Sequence, residues 1–210
     1  MSSQLPNWVT GVAHLPDGRR IVTCSFDGSL RLWDLESGTP IGNDWRDDEG
    51  DGGDGDRDEE GLWTMELFPN GKRIVSGSKG RKVRLWEVET EKAVAKWTGH
   101  TDIVLSLCWS VDGERVLSGS FDGTIRGWDV ESGDTVRGPI KTGHQAVSAV
   151  IYSPDTTKIA TGGHDDTALK IWDAKTGNLL SSIKHDSLVL CLAWTLDQKK
   201  VIFASHLNAG

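Results

Sequence analysis

The sequence predicts an all-β fold made of repeated antiparallel units, and three observations carry that reading. The first is a recurring segment: IVTCSFDGSLRLWD (21–34), IVSGSKGRKVRLWE (74–87), VLSGSFDGTIRGWD (116–129) and IATGGHDDTALKIWD (159–173) align, the last with one extra residue. Self-similarity at a fixed spacing marks a repeat architecture. The second is alternation, since each unit holds short runs rich in Val, Ile and Trp in which apolar and polar residues take turns, the period of a half-buried strand. The third is punctuation by Asp17-Gly18, Asn70-Gly71, Asp112-Gly113 and Asp122-Gly123, dipeptides whose tolerance of positive φ suits hairpins. No 3.6-residue apolar stripe persists, so essentially no helix is expected.

The closing Trp of each unit falls at 33, 86, 128 and 172. These positions divide the chain into repeats at approximately 5–43, 61–100, 101–144 and 145–186, a partial unit at 187–210, and an inserted acidic stretch at 44–60, all read as one domain, 1–210. The insertion accounts for the long first interval. It also accounts for the charge: the chain carries 31 acidic and 23 basic residues, and Asn43 to Glu60 alone contributes ten carboxylates against Arg46 and Arg57. The remainder is neutral and offers no broad basic face to a phosphate backbone, which argues against direct nucleic-acid binding.

Ten repelling carboxylates interleaved with glycines predict a solvated loop at 44–60. A basic partner is the leading functional use for it. Calcium fits poorly, because Glu59 occupies the glycine position that an EF-hand loop needs after Asp54, Asp56 and Asp58, and Arg57 takes the Asp position of a G-G-x-G-x-D repeat. Trp45 lies just ahead of the charge run with no strand pattern around it.

With 37% apolar residues over 210 positions, the chain is long enough to bury a sizeable core. It has no run of about 18 or more apolar residues, and its start, MSSQLPNW, lacks the charged-then-apolar layout of a secretory signal. No membrane association is expected. Cys24, Cys108 and Cys191 are an odd count without C-x-x-C spacing, each in or beside an apolar run, and are read as reduced core residues of a cytoplasmic or nuclear protein. Histidines spread along the repeats are too dispersed to share a metal, and no cofactor is implied.

Gly99-His100 and Gly143-His144 open the third and fourth units, Lys184-His185 is a degenerate third pair, and each full unit closes on Trp-Asp or Trp-Glu. On these residues the chain resembles WD40-repeat proteins over nearly its whole length. Its IVSGSxDGTIRLWD-like repeats resemble in particular those of fungal WD40 proteins, including ones attached to NACHT-type signalling proteins. The resemblance implies a β-propeller of four complete four-stranded blades plus half of a fifth, an incomplete ring.

It also implies a buried hydrogen-bonded chain in each blade, from the His before the blade through a Ser or Thr and a turn Asp to the closing Trp. The third repeat keeps His100, Ser118, Asp122 and Trp128, and the fourth His144, Thr161, Asp165 and Trp172. Taking Ser118 rather than Ser120, on the same strand face, follows the family. The first repeat has Thr23, Asp27 and Trp33 but no Gly-His, and the second has Ser76 and Trp86 with Gly80 in the Asp position. In the fifth, Phe203 and Leu207 stand at the Ser and Asp positions.

A His–Ser–Asp set also invites a hydrolase reading. Recurrence in every repeat argues for structure instead, and no G-x-S-x-G, G-x-x-x-x-G-K-[ST] or H-E-x-x-H motif exists. No enzyme activity is expected. Family members bind partners on the face bearing the second-to-third-strand turns, where Phe26, Lys79, Phe121 and His164 precede the turn Asp position; Trp8 and Trp63, near the starts of first strands, are expected to be partly packed. The function implied is a protein-interaction scaffold or substrate-recruiting adaptor, with a small-ligand or glycan sensor domain of a larger signalling protein as the alternative. An unfinished fifth unit predicts an open strand edge around Val201 to Ala204 and homodimers through it.

Overall fold

A computed structural model describes residues 8–46, 61–164, 168–184, 188–195, 197 and 200–206. Asp165, Leu207 and the acidic stretch from residue 47 therefore lie outside the described residues. The chain divides into two compact units, Met1–Gly99 and His100–Gly210. Among the described residues every regular element is a strand, as the period-2 pattern predicts.

In the first unit, β1 (Val9–His14), β2 (Arg20–Ser25), β3 (Leu30–Asp34) and β4 (Pro40–Trp45) form one antiparallel four-stranded sheet, and β5 (Leu62–Leu67), β6 (Arg73–Ser78), β7 (Lys82–Glu87) and β8 (Lys92–Thr98) form a second. In the second unit, β9 (Val104–Trp109), β10 (Arg115–Ser120), β11 (Thr124–Asp129) and β12 (Thr135–Lys141) form a third sheet. A fourth comprises β13 (Ala146–Tyr152), β14 (Lys158–His164), β15 (Ala168–Asp173) and β16 (Leu179–Lys184), and β17 (Leu188–Trp194) pairs with β18 (Val201–His206) in a sheet of two. In all five the strands run in sequence order, so each repeat folds on itself through hairpins.

The apolar side of the alternation makes the cores. Val22, Leu30, Leu62, Ile74 and Trp86 pack together in the first unit. Leu117, Ile125, Val150, Ile159 and Trp172 form one cluster of the second unit, and Leu169, Val189 and Leu192 belong to another. The first strand of every sheet carries a register shift, falling at Thr10, Trp63, Leu105, Ser148 and Leu190. An extra residue at such a bulge bends the strand and re-aims its side chains.

Two expectations are corrected. Trp45 ends β4 opposite Leu30 and is only 2% exposed. A register shift between Leu30 and Leu32, with Gly42 at φ +69°, breaks the alternation that would have announced the strand. Its counterpart, Trp97 opposite Val83, is buried too. Among the cysteines, Cys24 is a core residue, and its burial pushes the thiol up to about 11. Cys191 is exposed: the matching residue of β13, Ala149, packs against β17 in a core cluster, whereas the outward side of β17 has no described strand of its unit over it.

Candidate functional site

The closing tryptophans come first because everything else in a repeat is arranged around them. Each indole Nε1–H donates to the hydroxyl ten or eleven residues earlier: Trp33 to Thr23 (2.9 Å), Trp86 to Ser76 (2.9 Å), Trp128 to Ser118 (2.8 Å) and Trp172 to Thr161 (2.9 Å). A buried indole donor needs such an acceptor. Ser118, not Ser120, holds the position in its blade; Ser120 Oγ instead donates to Asp102 O at 3.0 Å.

In the third repeat the chain runs on. His100 Nε2 lies 2.7 Å from Ser118 Oγ, and His100 Nδ1 lies 2.9 Å from Asp122 Oδ2. The carboxylate accepts from Nδ1–H, which assigns Nε2 as the acceptor of the serine O–H. Asp122 also takes the Thr101 N–H (2.9 Å) and the Thr124 hydroxyl (2.6 Å). Burial pushes the carboxyl up, but the bonds from His100, Thr124 and Thr101 outweigh it and hold Asp122 well below the usual carboxylate range. The order Asp–His–Ser is that of a hydrolytic triad. Ser118, however, is 0% exposed and already accepts the Trp128 indole, so no substrate carbonyl can reach its oxygen. The local turn is equally fixed: Gly123 sits at φ +73°, and a Cβ there would lie 2.5 Å from His144 O. In the fourth repeat His144 Nε2 lies 3.3 Å from Thr161 Oγ1.

The first repeat lacks the histidine and meets the same need with arginine. Asp27 accepts from Arg31 (2.6 Å), and Arg31 also bonds Asp44 at 2.8 Å. Arg46 donates to Asp27 O at 2.8 Å. The sequence expectations do not include Arg31, although a signal for it exists: a basic residue stands two before the closing Trp in every repeat, as Arg31, Arg84, Arg126 and Lys170. Lys170 is buried and donates to Thr142 O at 2.7 Å.

On the turn side of the first unit, the structure brings Phe26 and Lys79 together with two tryptophans. Phe26 lies 6.3 Å from Trp8 and 5.9 Å from Trp63, ring to ring, and Lys79 Nζ sits 5.8 Å over the Phe26 ring. Backbone bonds set this arrangement, with Phe26 N–H donating to Trp8 O and Lys79 N–H to Gly61 O. Gly61 is needed for the approach, since a Cβ there would lie 2.8 Å from Phe26 O. Trp8 is 63% and Trp63 42% exposed, more open than the partial packing expected of them. Trp63 occupies the bulge of β5, which the alternation alone does not reveal. In the second unit Phe121 is 44% exposed and His164 half-buried at the end of β14. At the opposite end of the first unit's strands, Leu15, Arg20, Leu32, Lys72 and Glu91 line a cavity of about 500 Å³.

The family description "WD domain, G-beta repeat" matches residues 3–34, 55–87, 91–129 and 137–173. The chain belongs to the WD40-repeat family. Among curated proteins, this WD40 chain is similar to the U3 snoRNP-associated protein-like EMB2271 of Arabidopsis thaliana, 32% identical over 108 residues, covering 48% of the chain and 22% of that protein. It is similar to the U3 small nucleolar RNA-associated protein 15 homolog of Gallus gallus, 26% identical over 191 residues, 90% of the chain and 34% of that protein. It is also similar to eukaryotic translation initiation factor 3 subunit I of Botryotinia fuckeliana, 26% identical over 210 residues, 94% of the chain and 59% of that protein. The WD40 chain thus spans between about a fifth and three fifths of these relatives' lengths.

Proposed function

We propose that this WD40 chain is a non-catalytic protein-interaction scaffold or substrate-recruiting adaptor of the cytoplasm or nucleus, holding its partner on the turn side of its blades. The observation that carries the reading is the exposed Trp8–Phe26–Trp63 cluster with Lys79. Large aromatic rings left open to water cost solvation, and Trp is the residue type most enriched where binding energy concentrates. The names of the relatives, one a subunit and two described as associated with a ribonucleoprotein or RNA, support an assembly role. The finer kinship to fungal repeats of NACHT-type proteins rests on the repeat consensus alone and forms part of this proposal.

Affinity capture tests the reading, with wild type set against a Trp8→Ala/Trp63→Ala variant. A stoichiometric protein retained by the wild type is expected to be lost from the variant, while undiminished retention would overturn the site. Sedimentation of the same samples reads self-association through β18, which among the described residues pairs only with β17.

A further inference from the structure

The cavity of about 500 Å³ in the first unit lies between its two sheets, with Leu15, Leu32, Ile41 and Val88 as its apolar walls. One turn gives it its character. In the hairpin after each closing Trp, a residue at positive φ donates its N–H to the carbonyl of the residue that follows the Trp. Glycine fills that position as Gly38 (φ +67°), Gly133 (φ +75°) and Gly177 (φ +76°), but the second repeat puts Glu91 there at φ +59°. A residue with a Cβ is disfavoured in this conformation and persists only where its surroundings hold it. The half-buried Glu91 side chain reaches the neighbouring sheet, where a Cβ on Gly42 of β4 would lie 2.9 Å from its Oε2.

The corresponding space in the second unit is filled by arginine. Arg137 on β12 stands opposite Gly127 as Ile41 on β4 stands opposite Leu32, and both of those partners directly precede the closing Trp. Arg137 runs beside Gly177, a Cβ on which would lie 3.7 Å from its Cδ, and its Nη2 donates to Lys175 O on the next hairpin. Ile41 has neither the length nor the polar end to do this. Lys175 and Gly177 hold the places of Glu89 and Glu91. The second unit thus has an arginine and no carboxylate at these two positions, and the first has two carboxylates and no arginine. Of the other charges around the cavity, Arg20 is paired with Asp17, which leaves Glu89 and Glu91 against the one ammonium of Lys72.

We infer that this cavity takes the arginine side chain of a partner protein, its methylenes on Leu32, Ile41 and Val88 and its guanidinium against Glu89 and Glu91. The second unit meets the same need from within the chain, through Arg137. A guanidinium forks onto carboxylates with paired donors, and partly buried charges are screened less than those in open water. The site is separate from the aromatic cluster and does not rest on the docking reading made there.

Fluorescence polarisation on the full chain tests this, with a labelled, end-blocked Gly-Ser peptide bearing one central arginine and the same peptide bearing citrulline. The arginine peptide is expected to bind, and the citrulline peptide, equal in shape but uncharged, to bind about tenfold more weakly. Glu91→Gly returns the turn to the residue the other repeats use, so it should keep the melting temperature at or above wild type while weakening arginine binding about tenfold. Ile41→Arg supplies the side chain from β4 as Arg137 does from β12 and should abolish peptide binding. Trp8→Ala/Trp63→Ala should leave it unchanged. Equal binding of the two peptides, no binding of the arginine peptide to wild type, or undiminished binding in Glu91→Gly would overturn the inference. Full binding in Ile41→Arg would do the same by placing the peptide elsewhere, as would its loss in the Trp double variant. Should Ile41→Arg lose its far-ultraviolet β signature, Glu89→Gln takes its place, and undiminished binding there counts against the cavity equally. The scaffold reading fails separately, by retention of the captured partner in the Trp double variant.

Discussion

Asp27 and Asp122 hold the same place in their repeats, at the turn between second and third strands, yet they accept from different donors. Asp122 receives His100 from the loop ahead of its blade, and through it reaches Ser118 and Trp128 in an unbroken buried chain. Asp27 receives Arg31 from its own third strand, while the Thr23–Trp33 bond stands apart from it. The turn aspartate is thus a hub that accepts from whichever donor the chain delivers. In the third blade that partner connects inward to the core, and in the first it connects outward to Asp44 and Arg46. The difference should appear as stability, as pH dependence and as salt dependence.

The largest effect is expected at Asp122. Asp122→Ala removes the acceptor for His100 Nδ1–H, the Thr101 N–H and the Thr124 hydroxyl. Leaving such groups unsatisfied should cost about 1–3 kcal/mol, read as a lowered urea midpoint. A shift no larger than that from removing one carboxylate of the acidic stretch would break the assignment.

Acid titration sharpens the same contrast. Asp122 in the folded chain is held below its ordinary value of 3.8, so its contribution is complete above that value and drains away as pH falls below it toward the folded value. Urea unfolding at a series of acidic pH values should therefore show a steeper loss of stability for wild type than for Asp122→Asn. Identical acid limbs would mean that His100 does not depend on the charge of its partner.

The third blade is the most legible part of the sequence, and the reason is physical. A buried indole, hydroxyl and imidazole must satisfy one another, so their spacing repeats with the blade, and Ser118, Thr161, Ser76 and Thr23 each accept an indole N–H. Where register slips, the period disappears. Trp45 is hidden by the shift in β4, and Trp63 sits on a bulge whose direction no alternation predicts. Arg31 escapes notice although its repeat is in plain sight, because a basic residue in a strand reads as a solvated face. Phe26 and Lys79 are legible one at a time; that they share a cluster with Trp8 and Trp63 depends on backbone bonds within each blade and on the close approach of Gly61 to Phe26.

A smaller effect is expected from Asp27→Ala. Arg31 and Asp27 are partly exposed, with side chains 22% and 16% accessible, and solvent screens the pair. The loss should be about 0.5–1 kcal/mol and should shrink as salt rises, whereas that of Asp122→Ala should not. A salt-independent loss as large as at Asp122 would show that arginine replaces the histidine in full.

The smallest effect belongs to the stretch itself. Replacing Asp47 to Glu59 with a Gly-Ser sequence of the same length removes eight acidic residues and Arg57, yet keeps Asp44, Trp45, Arg46 and Gly61, the residues that make described contacts at its two ends. The stability of the first unit rests on those anchors and on the core that Trp45 joins, so the melting temperature should stay within a few degrees of wild type. Relief of like-charge repulsion would move it slightly upward at low salt and not at high salt. A large fall would show that the stretch packs on the blades. A rise of several degrees in the wild type with millimolar calcium, absent from the replaced chain, would show that its carboxylates close around an ion instead of repelling one another.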